Sequence, residues 1–205
     1  MLRYNNYIAT PSRVDLANCV FLRSDATPTG LVSTMLVRLT RIEDVPLLPA
    51  LERSAAQAFR QLPHLAWLAD SDVMDETQHL AFVSEGCSWV AVDDQDQALG
   101  FLCASVADDA LHIHELSVRQ EAQGQGLGRR LLDQAFDAAR HKGLAWLTLT
   151  TFDDVPWNAP FYQRYGFERL AVRQLDHRLQ TIISSELAHG LTDRCAMRLA
   201  ITCGP

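Results

Sequence analysis

Three proton-accepting side chains stand almost side by side in His112-Ile113-His114-Glu115. Such groups suit a reaction in which a nucleophile must first lose a proton. An alkylammonium has a pKa of about 10 and carries no free lone pair, so its attack on an electrophile needs a base poised near neutral pH. Histidine is the side chain best placed for that, and residues 112 and 114 of a strand share one face because side chains alternate with period two. Glu115 falls on the other face under strict alternation, and a bulge, common beside active sites, would turn it back as a rival base. Two other readings stay open. The histidines can be core residues satisfied by backbone or water. They can also be two ligands of a zinc ion, which needs a third, although Asp93, Asp94, Asp108 and Asp109 all fall in turn-like stretches.

Just downstream lies Gln123-Gly124-Gln125-Gly126-Leu127-Gly128, between an alternating apolar segment (111–118) and a long amphipathic one (127–142). Glycine permits positive φ and close approach to a ligand, and a helix that opens there presents unpaired N–H groups. Those groups and the positive end of the helix dipole favour an anion, above all a phosphate. A dinucleotide loop would require a third glycine where Arg129 or Leu131 stands, and the Gly-Lys-Ser/Thr of a P-loop occurs nowhere. Arg129 and Arg130 follow, as phosphate contacts or as a solvated helix face.

The elements that would position these groups follow from hydrophobic spacing. A strand at 36–39 precedes a helix from Arg41 with Leu47, Leu48, Leu51, Ala55 and Phe59 at steps of three and four. A second helix is expected from a cap at Ser71 or Asp72 to Gly86. A hairpin at 88–92 and 99–106 would turn on Asp93-Asp94-Gln95-Asp96, followed by a strand at 111–118. The helix from Leu127 buries Leu131, Leu132, Ala135, Phe136 and Ala139, with Gly143 as its stop. Then come a strand at 144–150, a short helix from Pro156 to Tyr165 closed by Gly166, a strand opening at Phe167, a helix at 178–189 and a strand at 195–201. The strand-loop-helix-strand unit over 111–150 implies a right-handed crossover and a parallel strand pair.

The 205 residues, 48% hydrophobic, can bury one sizeable core. Residues 1–34 lack a sustained period and are read as an N-terminal appendage, with the domain at 35–205. The net charge of −7 and the lack of basic clusters speak against nucleic acid and suit a cationic substrate. Five cysteines without Cys-x-x-Cys spacing suggest neither a disulfide scaffold nor a zinc ribbon. No apolar run approaches the ~18 residues of a membrane span, and the N-terminus does not resemble a signal peptide, so the expected location is the cytoplasm.

Gln-x-x-Gly-x-Gly at 123–128 closely resembles the coenzyme A pyrophosphate loop of GCN5-related N-acetyltransferases, and the likeness covers roughly 35–203. His112-Ile113-His114 with Leu116-Ser117-Val118, and Pro160-Phe161-Tyr162-Gln163-Arg164-Tyr165-Gly166-Phe167, resemble the serotonin N-acetyltransferase branch in particular. The resemblance implies an α/β (α+β) fold, a central mixed, mostly antiparallel sheet of six or seven strands flanked by helices. It implies acetyl-CoA as donor, no metal, and direct transfer to a primary amine of a small molecule in a ternary complex, with a homodimer allowed. Backbone groups of Leu116, Ser117 and Val118 would pair with the pantetheine arm, and those of Gln123, Gly124, Gln125, Gly126, Leu127 and Gly128 would hold the pyrophosphate. His112 and His114 would serve proton removal, and an amide near Leu116 would polarise the thioester oxygen. Tyr162 would act on the leaving thiolate, although a ring among Phe161, Tyr165 and Phe167 is also explained by packing.

Two departures stand out. Glu115 replaces a residue that is usually small in that branch. Val155 stands where other branches carry an asparagine seven residues before the tyrosine, and Asn158, four before it, is the remaining coenzyme-contact candidate. Phe59, Leu65, Trp67 and Trp157 fall in the stretches that form the acceptor lid in the family. A narrow tunnel walled by Trp67 and Trp157 would favour a small amine; a protein N-terminal or lysine acceptor would need an open groove. A non-catalytic acyl-CoA-binding module is the rival from another class.

Overall fold

The structure is a computed structural model that describes residues 35–201. The appendage at 1–34, with Cys19, and the last four residues, with Cys203, lie outside the described residues. Seven strands form one sheet: β1 (Leu36–Leu39), β2 (Ser88–Val92), β3 (Ala98–Ala107), β4 (Ala110–Val118), β5 (Trp146–Phe152), β6 (Glu168–Arg169) and β7 (Arg194–Ala200). Their order across the sheet is β1-β2-β3-β4-β5-β7-β6, and only β4 and β5 run parallel. This is the expected mixed, mostly antiparallel sheet. Its one parallel pair follows from the crossover helix α3 (Leu127–His141), which joins the two strands.

Both faces of the sheet are covered. Leu111, Ile113, Leu147 and Leu149 point to one side and pack against Leu127, Leu131, Leu132, Ala135 and Ala139 of α3, all buried. Each such leucine contributes about 1.5–3 kcal/mol of burial. On the other side Leu48 and Leu51 of α1 (Leu48–Ala56) cover Val90, Phe101 and Cys103, with Met74 and Phe82 beside them. All five residues of β2 are buried, as befits a strand shielded on both faces.

Three helix starts differ from the sequence expectation. The first helix, expected from Arg41, opens as a 3-10 segment at Ile42–Leu47 that contains Pro46, becomes α-helical only over Leu48–Ala56, and reaches Phe59 in a further 3-10 segment. The second helix, α2 (Glu76–Ser84), begins after Asp75, not at Ser71 or Asp72. Asp75 Oδ1 accepts from the Gln78 amide and Gln78 Oε1 accepts from the Asp75 amide, both at 2.9 Å, and this reciprocal box is the stronger cap. The chain before it is occupied by a 3-10 turn at Ala66–Asp70 and by the burial of Met74. The fourth helix, α4, spans Ala159–Tyr165 rather than starting at Pro156, because Val155 is turned inward and Pro160 is accommodated only in a first turn. The last helix, α5 (His177–Ala188), is capped by Asp176, whose carboxylate accepts from the Leu179 amide at 2.7 Å.

Candidate active site

The decisive local feature is a bulge in β4. Cys103 of β3 faces Glu115, whereas the next residue, Ala104, faces Ile113, so His114 is the extra residue. Alternation restarts one step late. His112, His114, Glu115 and Ser117 therefore share one face, while Leu116 and Val118 join the core under α3. The rings of His112 and His114 meet edge to face at 4.9 Å, and Ser117 Oγ donates to Glu115 Oε1 at 2.8 Å.

A second feature opens the sheet at the same point. The β4–β5 ladder runs from Ala110 opposite Trp146 to Ile113 opposite Leu149 and stops there. Beyond it β5 remains paired with β7 through Phe152, and β4 remains paired with β3 through Val118. The two strands thus splay, and β4 from His114 to Val118 has no strand partner on its β5 side among the described residues. An extended arm with amide groups fits that edge. One acceptor there is already engaged, since Gln123 Nε2 donates to the Val118 carbonyl at 3.0 Å.

The glycine loop closes the end of the splay. Gly124 and Gly126 take φ of +76° and +80°, the left-handed region where a side chain would be strained, and Gly126 caps α3. The amides of the first turn of α3 point out from the helix, as an anion requires. A Cβ on Gly128 would stand 3.2 Å from Phe161 Cζ and 3.5 Å from Leu116 Cδ2, so a larger residue there would press on the Phe161 ring as the helix start approaches β4 and α4. The Arg129 guanidinium lies 5.6 Å over the Tyr165 ring, and the exposed Arg130 joins α3 through its amide to the Gly126 carbonyl. Asn158 precedes α4; its carbonyl accepts from the amides of Phe161 and Tyr162, and its side chain makes no cap bond.

Electrostatics separate the expected bases. Burial, then the neighbouring His114 and Arg178, hold the His112 imidazole well below its ordinary range. Burial and Arg178 lower His114 to about 4. Both rings are neutral at pH 7, with His112 Nδ1 3.0 Å from Thr148 Oγ1 and His114 Nε2 2.7 Å from Ser105 Oγ. The Glu115 carboxyl moves the other way: burial raises it, against the Ser117 hydrogen bond, the Arg194 charge and the Leu116 amide. Tyr162 stands on α4. Its ring packs on Phe161 and Phe167, with centroids 5.1 and 5.6 Å apart, and burial followed by the Glu115 charge holds its phenol firmly protonated.

Among the residues expected in an acceptor lid, Phe59 meets Phe152 at 5.6 Å and Trp157 at 5.8 Å, beside Leu65 and Val155. Trp67 stands outside this cluster and is 43% exposed, so Trp67 and Trp157 do not wall one tunnel. Among the described residues no three His, Cys, Asp or Glu side chains converge as a metal site would need. Sequence reasoning passed over Glu52, half-buried on α1, although a carboxylate beside Leu51 and four after Leu48 marks an acid on an apolar stripe. It also passed over Arg194 and Arg178, for which spacing carried no signal.

Residues 50–167 match the acetyltransferase (GNAT) family. The chain belongs to this family. It is an N-acetyltransferase, and acetyl-CoA is its acyl donor. Over 140 residues the enzyme is 26% identical to the peptidyl-lysine N-acetyltransferase YjaB of Salmonella typhimurium, spanning 68% of this chain and 88% of that protein. It is 27% identical over 165 residues to the N-acetyltransferase YhbS of Escherichia coli K12, spanning 78% and 89%. Its fold matches the ribosomal-protein-S18-alanine N-acetyltransferase of Escherichia coli with a TM-score of 0.59 at 16% identity, covering 84% of this chain and 97% of that one. It also matches Escherichia coli YhbS in complex with CoA, with a TM-score of 0.54 at 19% identity, covering 86% of each. The splayed strands, the two positive-φ glycines and the close approach at Gly128 fit a ligand with a pantetheine arm and a pyrophosphate.

Proposed function

We propose that this acetyltransferase acts on a primary amine of a small molecule by direct attack in a ternary complex, with Glu115 as the first proton acceptor. The observation that carries the reading is the β4 bulge, which turns Glu115 to the face of His112 and His114 at the point where β4 and β5 part. Acetyl-CoA supplies the thioester carbonyl that the amine attacks. Backbone groups of Leu116, Ser117 and Val118 line the open edge, the loop from Gln123 to Gly128 holds the pyrophosphate, and Arg129 and Arg130 flank it. The Leu116 amide, turned to the Glu115 carboxyl in the free enzyme, is the donor that would pass to the thioester oxygen.

Glu115 takes one proton from the ammonium, its raised affinity suiting transfer near neutral pH. The nitrogen forms its bond to the acyl carbon as the carbon–sulfur bond breaks. The second proton leaves nitrogen through solvent and restores the phenol of Tyr162, whose Oη hydrogen-bonds the departing sulfur and passes it a proton. Neutral His112 and His114 continue the face behind Glu115, where they hydrogen-bond to Thr148 and Ser105. This His-x-His strand and the Phe161-Tyr162 helix support kinship with the serotonin branch, with Glu115 as the departure. The Phe59–Phe152–Trp157 rings support an acceptor with an apolar or aromatic body.

Likeness to a peptidyl-lysine acetyltransferase supports a second reading, in which the amine belongs to a protein lysine. Thiol release with acetyl-CoA against a panel of alkylamines, arylalkylamines and lysine peptides separates the two. Turnover with small amines at least tenfold more efficient than with any peptide is the expected result; the reverse order overturns the small-molecule assignment.

A further inference from the structure

Glu52 has no role in the steps above, yet its surroundings are unusual. It follows Leu51 on α1, on the side of the helix that covers β3 and β4. Its Oε2 accepts from the Met74 amide at 3.3 Å. Glu115 lies on the α1 side of the sheet, because it pairs with Cys103, which packs with Leu48 and Leu51 of α1. Glu52 stands next to Leu51 on that helix, and burial, then the Glu115 charge, raise its carboxyl. Cys103, fully buried and paired in register with Glu115, lies under both, and its thiol is raised by burial and then by Glu115 and Glu52.

Among the described residues no lysine or arginine forms an ion pair with either carboxyl. Arg53, next to Glu52 on α1, is exposed and only partly offsets the rise. Arg194 of β7 reaches Glu115 with its field but is held by Glu186, Nε to Oε2 at 3.0 Å and Nη2 to Oε1 at 2.7 Å. Ser117 of β4 and Tyr162 of α4 are the other groups facing Glu115. Two half-buried carboxyls on facing elements resist both being charged unless a cation joins them, and the described residues provide none.

We propose that Glu52 and Glu115 together form the receiving site for the acceptor's ammonium group, and that Glu52 selects strongly basic primary alkylamines over amines uncharged near neutral pH. This rests on Glu115 as the proton acceptor. In the empty site the pair shares one proton. An arriving alkylammonium supplies the missing countercharge and is held with one N–H toward Glu115. Glu52 acts through charge and position, not as the base. An arylamine, neutral at the same pH, gains nothing from the second carboxyl.

The test compares Glu52→Gln and Glu52→Asp with the wild type. Glutamine keeps an acceptor for the Met74 amide but not the charge, so folding should survive. For Glu52→Gln we expect KM for an alkylamine to rise about tenfold or more, since a partly buried charge contact is lost. Preference for alkylamines over arylamines should fall by a similar factor, with coenzyme A affinity unchanged in calorimetry. The acid limb of kcat/KM should move down by about one pH unit, because removal of a like charge lowers the Glu115 pKa. Glu52→Asp should restore most of the preference. Unchanged KM, limb and preference in Glu52→Gln overturn this inference alone. A wild type that turns over no amine overturns the parent reading and this one with it. If Glu52→Gln fails to fold, carbon-13 glutamate spectra of the wild type decide: two carboxyls titrating together above the rest support the pair, and their absence refutes it.

Discussion

Gly100→Ala probes whether the β3–β4 contact positions the strand along which the coenzyme arm would lie. Gly100 pairs with Val118, and a Cβ there would stand 2.8 Å from the Ser117 carbonyl oxygen, 3.1 Å from Val118 Cγ2 and 3.2 Å from Val118 Cα. Two of these atoms are backbone, so no side-chain rotation relieves the contact. Restoring ordinary separations requires the strands to part by roughly 0.5 Å over a spacing of about 4.8 Å. Overpacking of this kind costs about 1–3 kcal/mol. For a chain of this size each kcal/mol lowers Tm by about 2–4 °C, so a cost near 2 kcal/mol predicts a drop of about 4–8 °C in scanning calorimetry. The displacement falls on Ser117 and Val118, beside the open edge of β4. If about 1 kcal/mol of it is felt by the ligand, coenzyme A binding weakens roughly fivefold. A Tm within about 1 °C of wild type, with unaltered affinity, would refute the reasoning.

Tyr162→Phe removes the proton donor while the ring keeps its packing on Phe161 and Phe167. Turnover should fall by about a hundredfold with coenzyme A affinity retained, and a variant at full rate removes Tyr162 from the mechanism. His79 makes a different prediction. It is fully buried on α2, packs edge to face on Phe101 at 5.1 Å, and neither ring nitrogen has a partner; burial, opposed by Asp75, lowers it to about 4. The unfolded chain protonates it near 6.5, so the stability it contributes is complete above that pH and is lost as pH falls from 6.5 toward 4, by about 3 kcal/mol in total. Replacing it with leucine should flatten the fall in Tm over that window without lowering stability at pH 7, since unpaired nitrogens give way to apolar atoms. Acid sensitivity as steep as that of the wild type would count against this account.

The coenzyme half of the site was legible because its chemistry is local. Gly124 and Gly126 needed positive φ where a helix with buried faces begins, and both constraints are written in consecutive residues. The parallel pairing of β4 with β5 followed from the intervening helix. Helix starts were less legible, since Asp72 and Asp75 look alike as caps until Gln78 is seen to close the box on one of them. The packing of the apolar residues expected in an acceptor lid was least so. Phe59, Leu65 and Trp157 join Phe152 from distant segments, while Trp67, of the same composition, turns outward.

The amino-acid order alone carried the resemblance to a family that uses acetyl-CoA, through a loop whose conformation rests on glycines and helix polarity within six residues. It also determined that histidines 112 and 114 share a face, because a period of two needs no partner strand. Which carboxylate joins them was decided only in three dimensions. A one-residue slip between β3 and β4 inverts every side chain beyond it, and that slip is a property of the pairing between strands. Glu52, more than sixty positions earlier, came to the Glu115 face of the sheet only when α1 packed across it.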